Sequence, residues 1–296
     1  MKRRKLTLFI LCAATAIALP AQTFTTLHSF DKTDGANPWA PPVQGADGNL
    51  YGTTTLGGSG GYGTVFKITP GGALATLYNF CSESECTDGA SSYAKLIQTA
   101  NGDFYGTTQS GGDDGNNGGY GTVFRITLSG ALTTLYNFCS QFDCPDGVSP
   151  YAALVQATNG DFYGTTYMGG IYDVGTIFKI TPSATLTTLY SFCSFDCPNG
   201  SNPNSVAAPI QAISGDFCGT TNPAEGYGYG AGTVYKMTPN GTLTTLYAFC
   251  SQDGCADGED PNGMIQAPNG GQHRAAGTAT APQAVGPSSR SLRVAP

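Results

Sequence analysis

Four times along the chain the same five-residue phrase returns. Leu50-Tyr51-Gly52-Thr53-Thr54 comes back as Phe104-Tyr105-Gly106-Thr107-Thr108, as Phe162 to Thr166, and as Phe217-Cys218-Gly219-Thr220-Thr221, at steps of 54, 58 and 55 residues. Gly63-Thr64-Val65-Phe66-Lys67 returns from Gly121, Gly175 and Gly232. A third phrase, Thr-Leu, then an aromatic or His, then Phe two residues on, occurs at Leu27, Leu77, Leu135, Leu189 and Leu246. Internal recurrence at this period marks a repeat architecture, in which one unit cannot bury its apolar surface alone and must stack on its neighbours.

Each unit spells four short strands. In the second copy, strand A is 132–138, strand B is 153–157, strand C is 161–166 and strand D is 175–181. Between B and C stands Asn159-Gly160, the dipeptide that suits a two-residue hairpin turn because both central residues need positive φ. After D, Pro182 turns the chain back. No stretch has helical periodicity or a helix cap. The expected fold is therefore all-β: a β-propeller-like array of about 55-residue four-stranded repeats, four complete units plus a partial fifth. Radial packing of such blades buries both faces of each sheet and protects most edges. A β-solenoid is the alternative, but its coils are usually shorter and lack a hairpin dipeptide in each unit.

Strands A and B each occur five times, C and D four times. After Asn269-Gly270 the pattern demands an aromatic, Tyr, Gly and two Thr, and the chain instead continues Gly271-Gln272-His273-Arg274. Residues 273–296 hold three Arg, no acid and no aromatic, whereas all 20 acidic residues lie before Pro261. The sequence thus predicts a disordered or aberrant tail over 273–296, an unpaired edge on the fifth strand B, and a tandem β-repeat domain over 22–272.

Lys2, Arg3, Arg4 and Lys5 precede an apolar run from Leu6 to Leu19, and Pro20-Ala21 closes it. That is the three-part form of a secretory signal over 1–21, too short for a comfortable membrane span. Its removal takes away four of the 13 basic residues and none of the 20 acidic ones, moving the formal charge from −7 to −11. So acidic a protein repels nucleic acid and anionic lipid. The expectation is a secreted or cell-surface protein with neither nucleic acid nor membrane as partner.

The repeated 63–67 phrase, the Asp161-Phe162-Tyr163-Gly164-Thr165-Thr166 strand and the Cys-bearing loops resemble the choice-of-anchor tandem repeat GloVer-containing proteins, a family of secreted or surface proteins in bacteria. The resemblance spans roughly residues 23–270. It implies surface or secreted localisation and carries no activity or functional residues, and no sorting anchor follows residue 270.

Of the ten cysteines, eight form close pairs after strand A: Cys81/Cys86, Cys139/Cys144, Cys193/Cys197 and Cys250/Cys255. In an exported protein these are local disulfides. Zinc would need two pairs more than 50 residues apart to converge. Cys218 stands where other copies have Tyr, as a buried thiol. With two His in the chain, a multi-histidine metal site is excluded, and no cofactor is expected. A calcium loop at Asp113-Asp114-Gly115-Asn116-Asn117-Gly118 lacks the Glu at its twelfth place, where Phe124 stands.

Lys67, Arg125, Lys179 and Lys236 hold one position on strand D, and strand C begins with Asn49, Asp103, Asp161 and Asp216. Cross-strand ion pairs are expected, with an anion-binding ring of cations as the rival. Asp34-Gly35, Asp88-Gly89, Asp146-Gly147, Asn199-Gly200 and Asp257-Gly258 are turns. The copies diverge in the C–D loop, which carries Tyr62, Tyr120, Tyr172, Tyr227 and Tyr229 beside Asp113, Asp114 and Asp173. Variable loops on a rigid scaffold are where binding residues concentrate, and Tyr with Gly and Asn suits them. These are the candidate binding residues, and no catalytic residue emerges. The function expected is a non-catalytic scaffold for adhesion or for binding extracellular glycan or protein. The alternative is a propeller enzyme acting on polysaccharide, a glycoside hydrolase or lyase, which would need a distinctive carboxylate pair.

Overall fold

The structure is a computed structural model and describes residues 24–113, 119–193, 208–222, 232–252, 255–261, 263–266, 273–278 and 289–294. Four four-stranded antiparallel sheets follow one another along the chain. The first holds β1 (Val43–Gln44), β2 (Leu50–Thr54), β3 (Thr64–Ile68) and β4 (Leu74–Asn79). The second holds β5 (Ile97–Gln98), β6 (Phe104–Thr108), β7 (Thr122–Ile126) and β8 (Leu132–Asn137). The third holds β9 (Val155–Gln156), β10 (Phe162–Thr166), β11 (Thr176–Ile180) and β12 (Leu186–Ser191). The fourth holds β13 (Ile210–Gln211), β14 (Phe217–Thr221), β15 (Thr233–Met237) and β16 (Leu243–Ala248).

Each sheet runs in the order B-C-D-A, so its outer strand is the A of the next sequence unit. Loop length decides this phase. D and A are joined by a tight turn, with Gly72 N donating to Thr69 O at 2.9 Å in the first sheet. The A–B segment, from Asn79 to Ile97 in the first case, is far too long for a hairpin. The Cys-bearing segment is therefore the connector between blades.

The fifth sheet differs from the sequence expectation. His273–Thr278 (β18) pairs with Met264–Gln266 (β17), and Ser289–Val294 (β19) pairs with β18. Residues 273–278 and 289–294 thus supply strands C and D where the sequence pattern predicts a tail without structure. Ladder pairing needs only backbone groups in extended conformation, so loss of the aromatic phrase does not abolish it. Conversely, the first strand A, expected over residues 23–30, does not form over the described residues 24–30. They still occupy that place: Phe30 meets Phe66 edge-on at 5.1 Å, as Phe80 meets Phe124 at 5.3 Å and Phe138 meets Phe178 at 5.1 Å.

The core lies between consecutive sheets. One cluster joins Tyr51, Val65 and Phe80 of the first blade to Leu96, Phe104, Phe124 and Ile126 of the second. Equivalent clusters join the second to the third and the third to the fourth. Within them the strand C Tyr of one blade packs on the strand C Phe of the next: Tyr51 on Phe104 at 4.3 Å, Tyr105 on Phe162 at 4.3 Å, Tyr163 on Phe217 at 4.0 Å. The repeated phrase has a reason at every position. Its Gly faces the strand D aromatic directly, as in Gly164↔Phe178, and a Cβ on Gly164 would come within 2.5 Å of Phe178 Cζ. Its last Thr shares a buried hydroxyl hydrogen bond with the first Thr of strand D: Thr54–Thr64, Thr108–Thr122, Thr166–Thr176 and Thr221–Thr233, at 2.8–2.9 Å. Buried hydroxyls need such partners.

Candidate functional site

Strand C ends at the side of the array where strand B begins, so the blade connectors and the C–D loops share one face. Bridges Ala36↔Leu56, Ala90↔Ser110 and Val148↔Met168 tie connector to loop within a blade. Hydrogen bonds from Ser91 N to Tyr62 O, 2.9 Å, and from Ser149 N to Tyr120 O, 2.8 Å, tie each connector to the loop of the blade before it. The opposite face carries only the B–C hairpins and the D–A turns. Divergent, side-chain-rich loops are thus gathered on one surface.

The connectors are held by a repeated latch. Tyr78 donates its hydroxyl to Asp88 Oδ2 at 2.8 Å, Tyr136 to Asp146 at 2.9 Å, and Tyr247 to Asp257 at 2.7 Å. In the first copy His28 replaces Tyr, its Nε2 lying 2.6 Å from Asp34 Oδ2. Burial and the neighbouring carboxylate push the hydroxyls of Tyr78 and Tyr136 up to about 12, so both remain donors. The Asp of each turn is more than turn chemistry: it anchors strand A to the next blade. Disulfides Cys81–Cys86, Cys139–Cys144 and Cys250–Cys255 close the loop beside each latch. Cys193 is also disulfide-bonded, and Cys197 lies outside the described residues. Such bridges fit an oxidising compartment. Cys218 is buried beside Tyr235, and burial, with Asp216 nearby, pushes its thiol up to about 11.

The cations of strand D face the acids that open strand C: Arg125 Nε lies 3.9 Å from Asp103, Lys179 3.9 Å from Asp161, and Lys236 3.6 Å from Asp216. These three are held in ion pairs, and the fourth, Lys67, belongs to the copy whose strand C opens with Asn49. Among the described residues no three His, Cys, Asp or Glu side chains converge as metal ligands.

The sequence-predicted binding residues are spread around the loop face. Tyr62, Tyr120 and Tyr172 are each about half exposed. Asp173 turns inward on its own loop, accepting Gly169 N at 3.0 Å. Asp113 opens its loop, while Asp114, Tyr227, Tyr229 and most of the calcium candidate lie outside the described residues.

The structure brings together a different set. Trp39, Tyr93, Tyr151 and Tyr167 form one row across three blades, with ring centroids 6.0, 5.1 and 5.8 Å apart. The first three stand in the connector immediately before the inner strand B, and Tyr167 follows the third strand C. Trp39 is 67% exposed, and the three tyrosines are half-buried. Burial, then the neighbouring Tyr93 and Tyr167, raises the Tyr151 hydroxyl above its ordinary range. The tyrosine rings meet edge to face, a favourable aromatic geometry, and Trp39 lies tilted at 44° to Tyr93. A signal for it exists in the sequence: Trp39, Tyr93 and Tyr151 each stand five residues after the latch Asp.

The Gloeobacter/Verrucomicrobia repeat matches the sequence over residues 13–143 and 114–279. The chain belongs to this family. No curated protein matches it. Among solved structures, the repeat protein is similar to one of unknown function from Dyadobacter fermentans, with 12% identity, 88% of this chain and 80% of that one covered, and a TM-score of 0.51. A Bacteroides uniformis protein assigned as a 6-phosphogluconolactonase shares 16% identity over 89% of this chain and 73% of that one, at a TM-score of 0.50. A periplasmic gluconolactonase of Pseudomonas aeruginosa shares 13% identity over 88% and 71%, at 0.49. At such identities the likeness is one of fold: the family member is a repeat β-propeller.

Proposed function

We propose that the protein is an exported, non-catalytic propeller scaffold that binds glycan along its loop face. The observation that carries this reading is the row Trp39–Tyr93–Tyr151–Tyr167, four aromatic side chains from three blades aligned on one surface. Aromatic faces take the C–H surface of a sugar ring, and tyrosine hydroxyls add polar contacts at small entropic cost. A rigid sheet scaffold beneath them keeps the row pre-organised. The basic residues 2–5 and the apolar run after them supply the export signal, and the disulfides agree with an oxidising destination.

Polysaccharide cleavage, and the lactone hydrolysis for which some fold neighbours are named, draw no comparable support. Both would need acids released for chemistry. Here Asp88, Asp146 and Asp257 hold the Tyr latches, while Asp103, Asp161 and Asp216 hold strand D cations.

Trp39 is the sole Trp of the chain, so its emission reports on the row alone. Titration with a panel of soluble bacterial and plant polysaccharides is expected to shift that emission saturably for at least one of them. Tyr93→Ala and Tyr151→Ala are expected to weaken the same glycan at least tenfold. A panel without any response, or variants that bind as well as the parent, would sink the proposal.

A further inference from the structure

On the outer flank, between the second and third blades, lies a cleft of about 410 Å³, within the size range of small-ligand sites. Tyr136 and Asp146 line it from the second blade and the connector, Ile171 from the third C–D loop, and Leu186, Leu189 and Tyr190 from β12. Asp146 is only 5% exposed. Its Oδ2 accepts the Tyr136 hydroxyl and Cys139 N, at 2.9 and 3.0 Å. Its Oδ1 is buried and has no hydrogen-bond partner.

The other copies show how unusual that is. Asp88 Oδ1 accepts Glu83 N and Asp257 Oδ1 accepts Gln252 N, both at 3.4 Å, while Ser82 N and Ser251 N go to Oδ2. In the second blade's connector the pattern has slipped by one residue. Cys139 N takes the Oδ2 place, and no further amide reaches Oδ1. A buried carboxylate oxygen left unpaired is costly and calls for an explanation.

We propose that this cleft binds a small organic ammonium ion, its N–H groups donating to Asp146 Oδ1 and its apolar body resting on Ile171, Leu186 and Leu189. An ionised carboxylate only accepts, so the missing partner must be a donor. Among the described residues no basic side chain lines the cleft, so a cationic ligand meets no competing charge there. Two tyrosine rings add a surface that favours a cation, and Tyr136 stays a neutral donor to the other oxygen. Ile171, 76% exposed, leaves an apolar wall open to an incoming hydrocarbon. The site lies apart from the aromatic row, and its test does not depend on glycan binding.

Three probes of equal chain length separate the ingredients: n-hexylammonium, 1-hexanol and hexyltrimethylammonium. Calorimetry on the full chain at roughly millimolar probe should detect hexylammonium, with the alcohol and the quaternary ion at least tenfold weaker. Asp146→Asn should lose hexylammonium by at least tenfold. Asp88→Asn alters the same latch where Oδ1 is already paired, so it controls for stability and should bind as the parent does. Ile171→Ser, at an exposed position, should weaken hexylammonium a few-fold without changing the fold. Absence of hexylammonium binding, equal binding of hexanol, or equal losses in Asp146→Asn and Asp88→Asn would each overturn the assignment.

Discussion

Replacing Gly164 by Ala adds one methyl group at a place where the structure leaves no room. Its Cβ would lie 2.5 Å from Phe178 Cζ and 2.9 Å from Leu154 Cδ2. Phe178 and Leu154 are both buried, in the cluster between the second and third blades. Neither can swing into solvent, so the strain must spread into the core, and overpacking of this kind costs roughly 1–3 kcal/mol. The substitution also stiffens the unfolded chain, an effect of about 0.4–1 kcal/mol in the opposite direction. A net loss of about 1–2 kcal/mol remains, and for a domain of this size each kcal/mol lowers Tm by roughly 2–4 °C. Thermal unfolding followed by circular dichroism under non-reducing conditions measures it. Phe178→Leu should relieve the clash, so the double variant should be more stable than the sum of the single effects by roughly 0.5 kcal/mol or more. A Gly164→Ala protein with unchanged or raised Tm, or a strictly additive double variant, would refute the account of why this glycine recurs.

Two further outcomes follow from ionisation. Burial works against the charge on Asp257, but hydrogen bonds from Ser251 and Tyr247 outweigh it and hold its carboxyl well below the ordinary 3.8. Its contribution to stability is complete above that value and is lost as pH falls below it, so Asp257→Asn should flatten the decline in Tm below about pH 4; an unaltered acid limb would contradict the latch. Cys218, with its thiol pushed up to about 11, should resist a thiol reagent in the native protein at pH 8 and react only as the fold opens; rapid native labelling would show the site to be exposed.

Much of this architecture is legible in residue spacing. The strand C and D phrases, the presence of a B–C hairpin and the cross-strand ion pairs all rest on local rules that act within some twenty residues. The turn itself differs from the expected two-residue form: its loop is Thr158-Asn159-Gly160, Gly160 N donates to Ala157 O at 2.9 Å, and positive φ falls on Gly160 but not on Asn159. The phase of the sheets is less visible, because a repeat written A-B-C-D and one written B-C-D-A have the same sequence period; only loop length separates them. The fifth sheet hid for another reason. Its strands C and D carry none of the packing residues that marked the others, and backbone pairing leaves little trace in side-chain type. The aromatic row escaped because Trp39, Tyr93 and Tyr151 lie 54 and 58 residues apart and meet only when blades stack. The Asp146 cleft is still less visible: it arises from a one-residue slip in which amide, Cys139 or the one after it, reaches the carboxylate.

The Tyr-on-Phe contacts make the three junctions among the first four blades directional. Sheets two and three each offer a Tyr-bearing side forward and a Phe-bearing side backward, as Tyr105 and Phe104 do on the second, while the first contributes only the Tyr side and the fourth only the Phe side. In the language of oligomers, each blade is a protomer with a heterologous, head-to-tail interface. Such interfaces build rings when the rotation per step closes and open filaments when it does not. Blade number is therefore set by rotation per step and chain length, and not by any single junction. A fragment of two or three units would expose one side of each kind and associate with its own copies.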